Sequence, residues 1–259
     1  MAEPVSIALL YPELLGTYGD GGNATVLVQR LRWRDIPAEV VDVHAGEAIP
    51  RSCQIYLMGG GEDAPQSLAA HELRSGSVLD DAVRGGAAVL AVCAGLQVLG
   101  HRFAGEDGKT HDGLGLLDCE THRDDRPRRV GEVTVTPDPS LDLPELTGYE
   151  NHGGVTVLGP SAVALGRVVV GHGNDGGDGS EGIVSGRVVG TYMHGPVLAR
   201  NPALADHLLS SVLGPLDPLE DTEVEALRKE RLQAARHPHM NLPQLATGWR
   251  RLLRGRLST

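Results

Sequence analysis

Aromatic residues are nearly missing from this chain of 259 residues, which has one Phe, two Trp and five Tyr. Its core must therefore be built mainly from Val, Leu, Ile and Ala. Lysine is scarcer still: Lys109 and Lys229 are the two present, and Arg carries the rest of the positive charge. The net charge of −11 excludes broad nucleic-acid binding, which needs a basic face to neutralise phosphates. Three cysteines, Cys53, Cys93 and Cys119, are widely spaced and form no CxxC pair. That pattern fits neither a disulfide framework nor a zinc site. No stretch reaches the ~20 apolar residues of a membrane span. The start, MAEPVSIALLYPE, lacks a basic segment, and its apolar run is too short for a signal peptide. A cytoplasmic protein with reduced thiols is expected.

What is present is an alternation of strands and helices. Val5–Leu10, Glu39–Val43, Gln54–Met58 and Ala87–Val92 are short apolar runs bounded by turn residues. Between them, Asn23 is placed to cap a helix running to about Arg34. Helical patterns also cover Ser67–Leu73 and Val78–Val83. Strands apolar on both faces and separated by helices predict a mostly parallel sheet covered on both sides. The middle of the chain is different, with strands over Val130–Thr136 and Val163–Val170 and little helix. Gly171–Gly182 (GHGNDGGDGSEG) is too rich in glycine to be regular. A strand over Gly186–Met193 precedes a helix over Asn201–Leu213, capped by Asn201-Pro202. After Pro215-Leu216-Asp217-Pro218 a last helix is predicted from Glu220 to Arg236. Arg231–Thr259 holds six Arg and no acid. The expected organisation is one α/β domain over 1–214 and a helical, basic extension over 215–259.

The chemistry is concentrated at three strand ends. Ala87–Val92 runs straight into Cys93-Ala94-Gly95-Leu96-Gln97, an apolar strand ending on a Cys with small residues next and a helix beginning. This is the nucleophile-elbow arrangement with Cys in place of Ser. A helix N-terminus favours the thiolate, which is the reactive form. The Ala94 N–H is placed to donate to an oxyanion. A second donor is expected from Met58-Gly59-Gly60-Gly61, where bare backbone lets amides approach a substrate carbonyl. Gly190-Thr191-Tyr192-Met193-His194-Gly195-Pro196 places an acid–base His after another strand. Cys53 and Cys119 read as buried small hydrophobes.

The three segments resemble the signatures of the class I glutamine amidotransferases of the CobB/CobQ branch: MGGGED at Met58–Asp63, CAGLQ at Cys93–Gln97 and YMHGP at Tyr192–Pro196. Within that branch the chain is most similar to the GatD type, the glutaminase subunits of lipid II isoglutaminyl synthase. Gly148-Tyr149-Glu150-Asn151-His152-Gly153-Gly154 looks like the GFENHGG segment of that type. The resemblance implies a flavodoxin-like fold. It implies that Cys93 attacks the glutamine amide and His194 protonates the departing ammonia. Gly60 and Ala94 would hold the oxyanion, Gln97 would line the glutamine pocket, and Arg128 would grip substrate as the Arg of the R-x-x-G-[DE] segment. A guanidinium suits a carboxylate in a fork; the bland alternative is that Arg126, Arg128 and Arg129 form a solvated loop.

The resemblance further implies a heterodimer with a MurT-like Mur ligase that uses ATP and Mg. That partner would amidate the D-Glu α-carboxyl of lipid II in peptidoglycan synthesis. This chain would need no cofactor or metal, and it holds no GxxxxGK[ST] phosphate loop. At most a peripheral membrane contact is expected, through the basic tail. Rival readings are an amidotransferase subunit for cobyric acid or another cofactor, a stand-alone γ-glutamyl hydrolase-like enzyme, and a non-catalytic binding subunit. One departure stands out: many class I enzymes carry Glu two residues after the His, and here that position is Pro196. The orienting carboxylate is expected from the partner. Asp175-Gly176-Gly177-Asp178 superficially resembles a calcium-binding repeat, but a single copy reads as a loop. Glu150 and His152 read as ordering residues or a structural turn.

Overall fold

The computed structural model describes residues 3–16, 19–74, 76–105 and 108–236. Its centre is a six-stranded sheet in the order β13-β14-β4-β3-β1-β2. The strands are β1 (Val5–Leu10), β2 (Ala38–Val43), β3 (Ile55–Met58), β4 (Ala88–Val92), β13 (Ile183–Ser185) and β14 (Val188–Thr191). All neighbours are parallel except β13, which pairs antiparallel with β14. Every residue of β3, β4 and β14 is buried, as runs apolar on both faces require in a sheet covered by helices.

The order β2-β1-β3-β4-β14 is the flavodoxin-like arrangement. Its strand order reverses between β1 and β3, a switch point where sheets of this kind form a ligand crevice beyond the carboxyl ends of the strands. Helices α1 (Gly22–Arg32), α2 (Asp63–Arg74), α3 (Val78–Arg84) and α4 (Ala94–Leu99) link these strands, and α5 (Val197–Arg200), α6 (Pro202–Leu213) and α7 (Thr222–Arg236) follow β14. Among the described residues no helix is long and apolar enough to cross a membrane.

The middle of the chain holds more strand than its composition suggested. Eight short strands form two four-stranded sheets. One sheet comprises β5 (Arg102–Ala104), β6 (Thr110–Asp112), β7 (Cys119–Arg123) and β10 (Gly154–Leu158); the other, β8 (Arg129–Pro137), β9 (Leu146–His152), β11 (Gly166–Val170) and β12 (Ser180–Glu181). The chain passes from one sheet to the other between β9 and β10, across Gly153. Only β8 and β11 answer to predicted strands; the other six are short or rich in Gly, Thr and charge, so they lack a clear apolar period.

Two expected helix caps are tethers instead. Asn23 is buried inside α1 and accepts the Leu198 N–H at 3.0 Å. Asn201 precedes α6 but makes no cap bond. Its side chain bonds both the N–H and the C=O of Thr147 on β9. A second tie is buried Arg30 on α1, forked onto Asp206 of α6 and Asp221 before α7. Helix α7 is held by Arg228 and Arg236, which bond the main chain and side chain of Glu145. The basic tail expected beyond Arg236 lies outside the described residues.

Candidate active site

Cys93 stands between β4 and α4 with φ 51° and ψ −106°, a backbone geometry L-residues rarely adopt. Such strain persists only where surrounding structure imposes it. Here the Cys93 N–H donates to Thr191 O on β14 at 2.8 Å, and the Gly95 N–H donates to Gly59 O at 3.2 Å. The elbow is thus pinned to a strand on each side. Ala94 is the first residue of α4, where a backbone N–H falls outside the intrahelical ladder. Cys53 and Cys119 are buried away from this point, and burial raises both thiols, Cys119 to about 12.

His194 is fixed from two directions. A two-way backbone bridge ties it to Tyr149 on β9, with N···O distances of 3.1 and 2.8 Å. That approach depends on Gly148, since a Cβ there would lie 2.4 Å from Met193 Cβ. On the side-chain side, Nδ1 lies 3.0 Å from Asp20 Oδ2. Asp20 follows β1, and both side chains are buried. A carboxylate only accepts, so Nδ1 carries a proton toward Asp20 and Nε2 is the nitrogen that can take up or give one. Burial by itself lowers the His194 pKa; the Asp20 hydrogen bond and then the interaction with Cys93 overcome it and raise the value to about 10.

Asp20 changes two expectations. The orienting carboxylate assigned to the partner because of Pro196 is already present in this chain. Sequence reasoning missed it because Gly19-Asp20-Gly21-Gly22 reads locally as a turn; only the strand order brings the end of β1 beside the end of β3. The second correction concerns Gly60, whose N–H was expected to hold the oxyanion. It donates instead to Asp20 Oδ2 at 2.9 Å. Close packing enforces this: a Cβ on Gly59 would meet Leu15 O at 2.0 Å and Asp20 Cβ at 3.0 Å. The neighbouring Gly61 is the residue of this turn that lines the cavity.

That cavity, of about 280 Å³, runs from Cys93 and Ala94 to an arginine-bearing loop. Its size suits a ligand smaller than the drug-sized molecules that fill pockets of ~300 Å³ and above. Gln97 lines it, as expected, and is itself held: Gln66 Nε2 donates to its Oε1 at 2.8 Å, and its Nε2 donates to Tyr192 OH at 3.0 Å. The chain of hydroxyls continues through Thr156 to Thr121, each link 2.7 Å. One amide hydrogen and one lone pair of Gln97 remain.

The three arginines differ. Arg128 lines the cavity and donates from Nε and Nη2 to Oδ1 and O of Asn151, both at 3.1 Å. Arg129 is buried against Asp124 and Asp175, and Arg126 pairs with the same two carboxylates. The segment is therefore clasped at buried Arg129, while Arg126 and Arg128 remain exposed. Asp175 is the clasp in the Gly-rich stretch. Among the described residues no group of three or more His, Cys, Asp or Glu side chains is arranged to hold a metal ion. Glu150 lies outside the cavity and accepts the His172 and Gly173 N–H groups at 2.9 Å, anchoring that stretch. His152 lines the cavity, and its ring stacks on Tyr192 with centroids 3.9 Å apart.

Comparison with known proteins identifies the family. Residues 6–202 match the family described as CobB/CobQ-like glutamine amidotransferase domain. The chain is 36% identical over 225 residues to the lipid II isoglutaminyl synthase (glutamine-hydrolyzing) subunit GatD of Staphylococcus aureus, covering 84% of this chain and 90% of that one. To the subunit of the same name from Streptococcus pneumoniae it is 34% identical over 213 residues, covering 81% and 80%. A crystal structure of a glutamine amidotransferase superposes with a TM-score of 0.55 at 19% identity, covering 80% of this chain and 98% of that one, which shows the shared fold. The chain belongs to the CobB/CobQ-like glutamine amidotransferases.

Proposed function

We propose that this chain hydrolyses glutamine through a γ-glutamyl thioester on Cys93 and passes the ammonia to a partner that amidates lipid II. The observation that carries the chemistry is the alignment of Asp20, His194 and Cys93 at the crevice, with the cavity opening from Cys93. His194 takes the thiol proton, and the sulfur attacks the side-chain carbonyl carbon of glutamine. The Ala94 N–H, joined by the backbone of the glycine turn at Gly61, receives the negative charge that develops on oxygen. As the C–N bond breaks, the imidazolium gives its proton to the leaving nitrogen, and ammonia departs. Water then attacks the thioester; His194 accepts its proton and returns it to sulfur as glutamate leaves. Arg128 grips the α-carboxylate, and Gln97 forms a wall of the pocket. Asp20 keeps the imidazole in the correct tautomer and stabilises its charged form.

The acceptor is proposed from the two GatD subunits matched over four-fifths or more of their length. The ammonia would go to a MurT-like Mur ligase in a heterodimer, with ATP and Mg bound on that partner and the D-Glu α-carboxyl of lipid II as acceptor. The reaction then belongs to the cytoplasmic stage of peptidoglycan synthesis, with at most peripheral membrane contact.

Co-purification with a Mur-ligase-like protein, followed by glutamine-dependent amidation of lipid II, tests this reading. Cys93→Ala is expected to abolish glutamine-dependent amidation while ammonia-dependent amidation by the complex continues. Loss of both would make Cys93 structural. Free ammonia with unamidated lipid II would remove the acceptor assignment and return cobyric acid or another cofactor as the candidate.

A further inference from the structure

The loop carrying Arg126, Arg128 and Arg129 partitions its charge unevenly. Arg126 and Arg129 each meet Asp124 and Asp175, so two cations are balanced by two carboxylates. Arg128 is held by an amide oxygen and a backbone carbonyl, both of Asn151. Among the described residues no carboxylate lies within ion-pairing distance of it. Both bonds occupy the Nε–Nη2 edge of the guanidinium, which leaves the Nη1 side for another partner. Arg128 lines the cavity and Asn151 does not. Asn151 faces Val130 across the β8–β9 ladder, so its backbone is fixed by the sheet, whatever side chain it carries.

We propose that Asn151 is a positioning and specificity residue: it holds Arg128 in place without neutralising it, keeping a full positive charge for the α-carboxylate of the substrate. This rests on the reading of Arg128 as the carboxylate clamp. The neutrality of the side chain is the essential point. An aspartate at 151 would reach the same guanidinium edge with nearly the same shape, pair with it as a salt bridge, and compete with the substrate for its charge. An alanine would lose the side-chain bond, keep the carbonyl bond, and leave the charge intact.

The two variants thus separate charge from shape. Steady-state glutaminase kinetics on the full chain, with circular dichroism as the check on folding, provide the measurement. Asn151→Asp is expected to raise KM for glutamine by about tenfold with kcat little changed, since a lost ground-state contact appears in KM. Asn151→Ala is expected to raise KM by less than Asn151→Asp. A merely structural role would reverse that order, because aspartate preserves the packing that alanine removes. Arg128→Ala separates the two layers. If it raises KM while Asn151→Asp is no worse than Asn151→Ala, the role of Asn151 falls and the clamp stands. If Arg128→Ala leaves KM unchanged, the clamp reading falls and the role of Asn151 falls with it.

Discussion

Replacing Asp20 with asparagine would remove one charge while keeping both hydrogen bonds that its carboxylate accepts. Asp20 Oδ2 takes the Gly60 N–H at 2.9 Å and the His194 Nδ1–H at 3.0 Å. Both are donors, and the Gly60 N–H is fixed by the backbone. An asparagine must therefore turn its oxygen to that position; the flipped amide would set donor against donor. The tautomer of His194 survives, and only the stabilisation of the imidazolium is lost. A charge-assisted hydrogen bond is worth about twice a neutral one, so the loss is roughly 1–2 kcal/mol. At about 1.4 kcal/mol per pKa unit, His194 should titrate roughly one unit lower. Asp20 and Cys93 raise its pKa to about 10 in the intact site, and in the proposed mechanism the imidazolium is the acid that protonates the departing nitrogen. Activity is therefore lost as pH rises through that pKa, and Asp20→Asn should move this alkaline limb downward. The same energy predicts a kcat roughly 5- to 30-fold lower. Asp20→Ala also strips the tautomer restraint and should cost roughly 10²- to 10⁴-fold. Glutamate release measured from pH 6 to pH 11 is the assay. An alkaline limb that stays in place, with kcat within about twofold, would show that Asp20 does not orient His194, and the carboxylate would again have to come from the partner.

Two stability predictions follow from other buried charges. Glu181 is wholly buried, and burial above all, with Glu150 adding to it, raises its pKa to about 7. A carboxyl whose folded pKa exceeds its unfolded one binds more protons in the native state, so stability falls as pH rises from about 4.5 to about 7, by up to ~1.4 kcal/mol per unit. Glu181→Gln keeps an acceptor for Thr191 Oγ1 and the Tyr192 N–H. Its advantage in melting temperature over the parent should grow between pH 5 and pH 8, and a constant difference would contradict the argument. Arg30 joins α1 to Asp206 and Asp221 from a buried position. Arg30→Ala leaves Asp221 without this partner and Asp206 with Arg34 alone, and should destabilise by ~3 kcal/mol in urea unfolding; less than ~1 kcal/mol would mean that Arg34 and solvent compensate the cluster.

The features legible in sequence share one property: their signal is local. Strand β4 runs unbroken into Cys93, and β14 ends just before His194, so apolar run, punctuation and reactive side chain are contiguous. Asp20 is not legible that way. It stands in a glycine turn between β1 and α1, about 170 residues from His194, and becomes a catalytic neighbour only through the reversal of strand order. The asparagines fail for a related reason. Asn23 and Asn201 have the chemistry of caps, yet the same amide can bond a distant backbone, and tertiary packing makes that choice. The GYENHGG segment lies between these extremes, since its likeness was visible but its purpose was not. In the structure it is one strand that touches both the His194 segment and Arg128. Gly148 admits Met193, Tyr149 bridges the backbone of His194, and Asn151 holds Arg128. Residues 149 and 151 fall on the same side of the strand, ~7 Å apart along it. The distance between the acid–base group and the proposed clamp is thus set by two residues of β9, whose pairing with β8 leaves neither free to shift without the other.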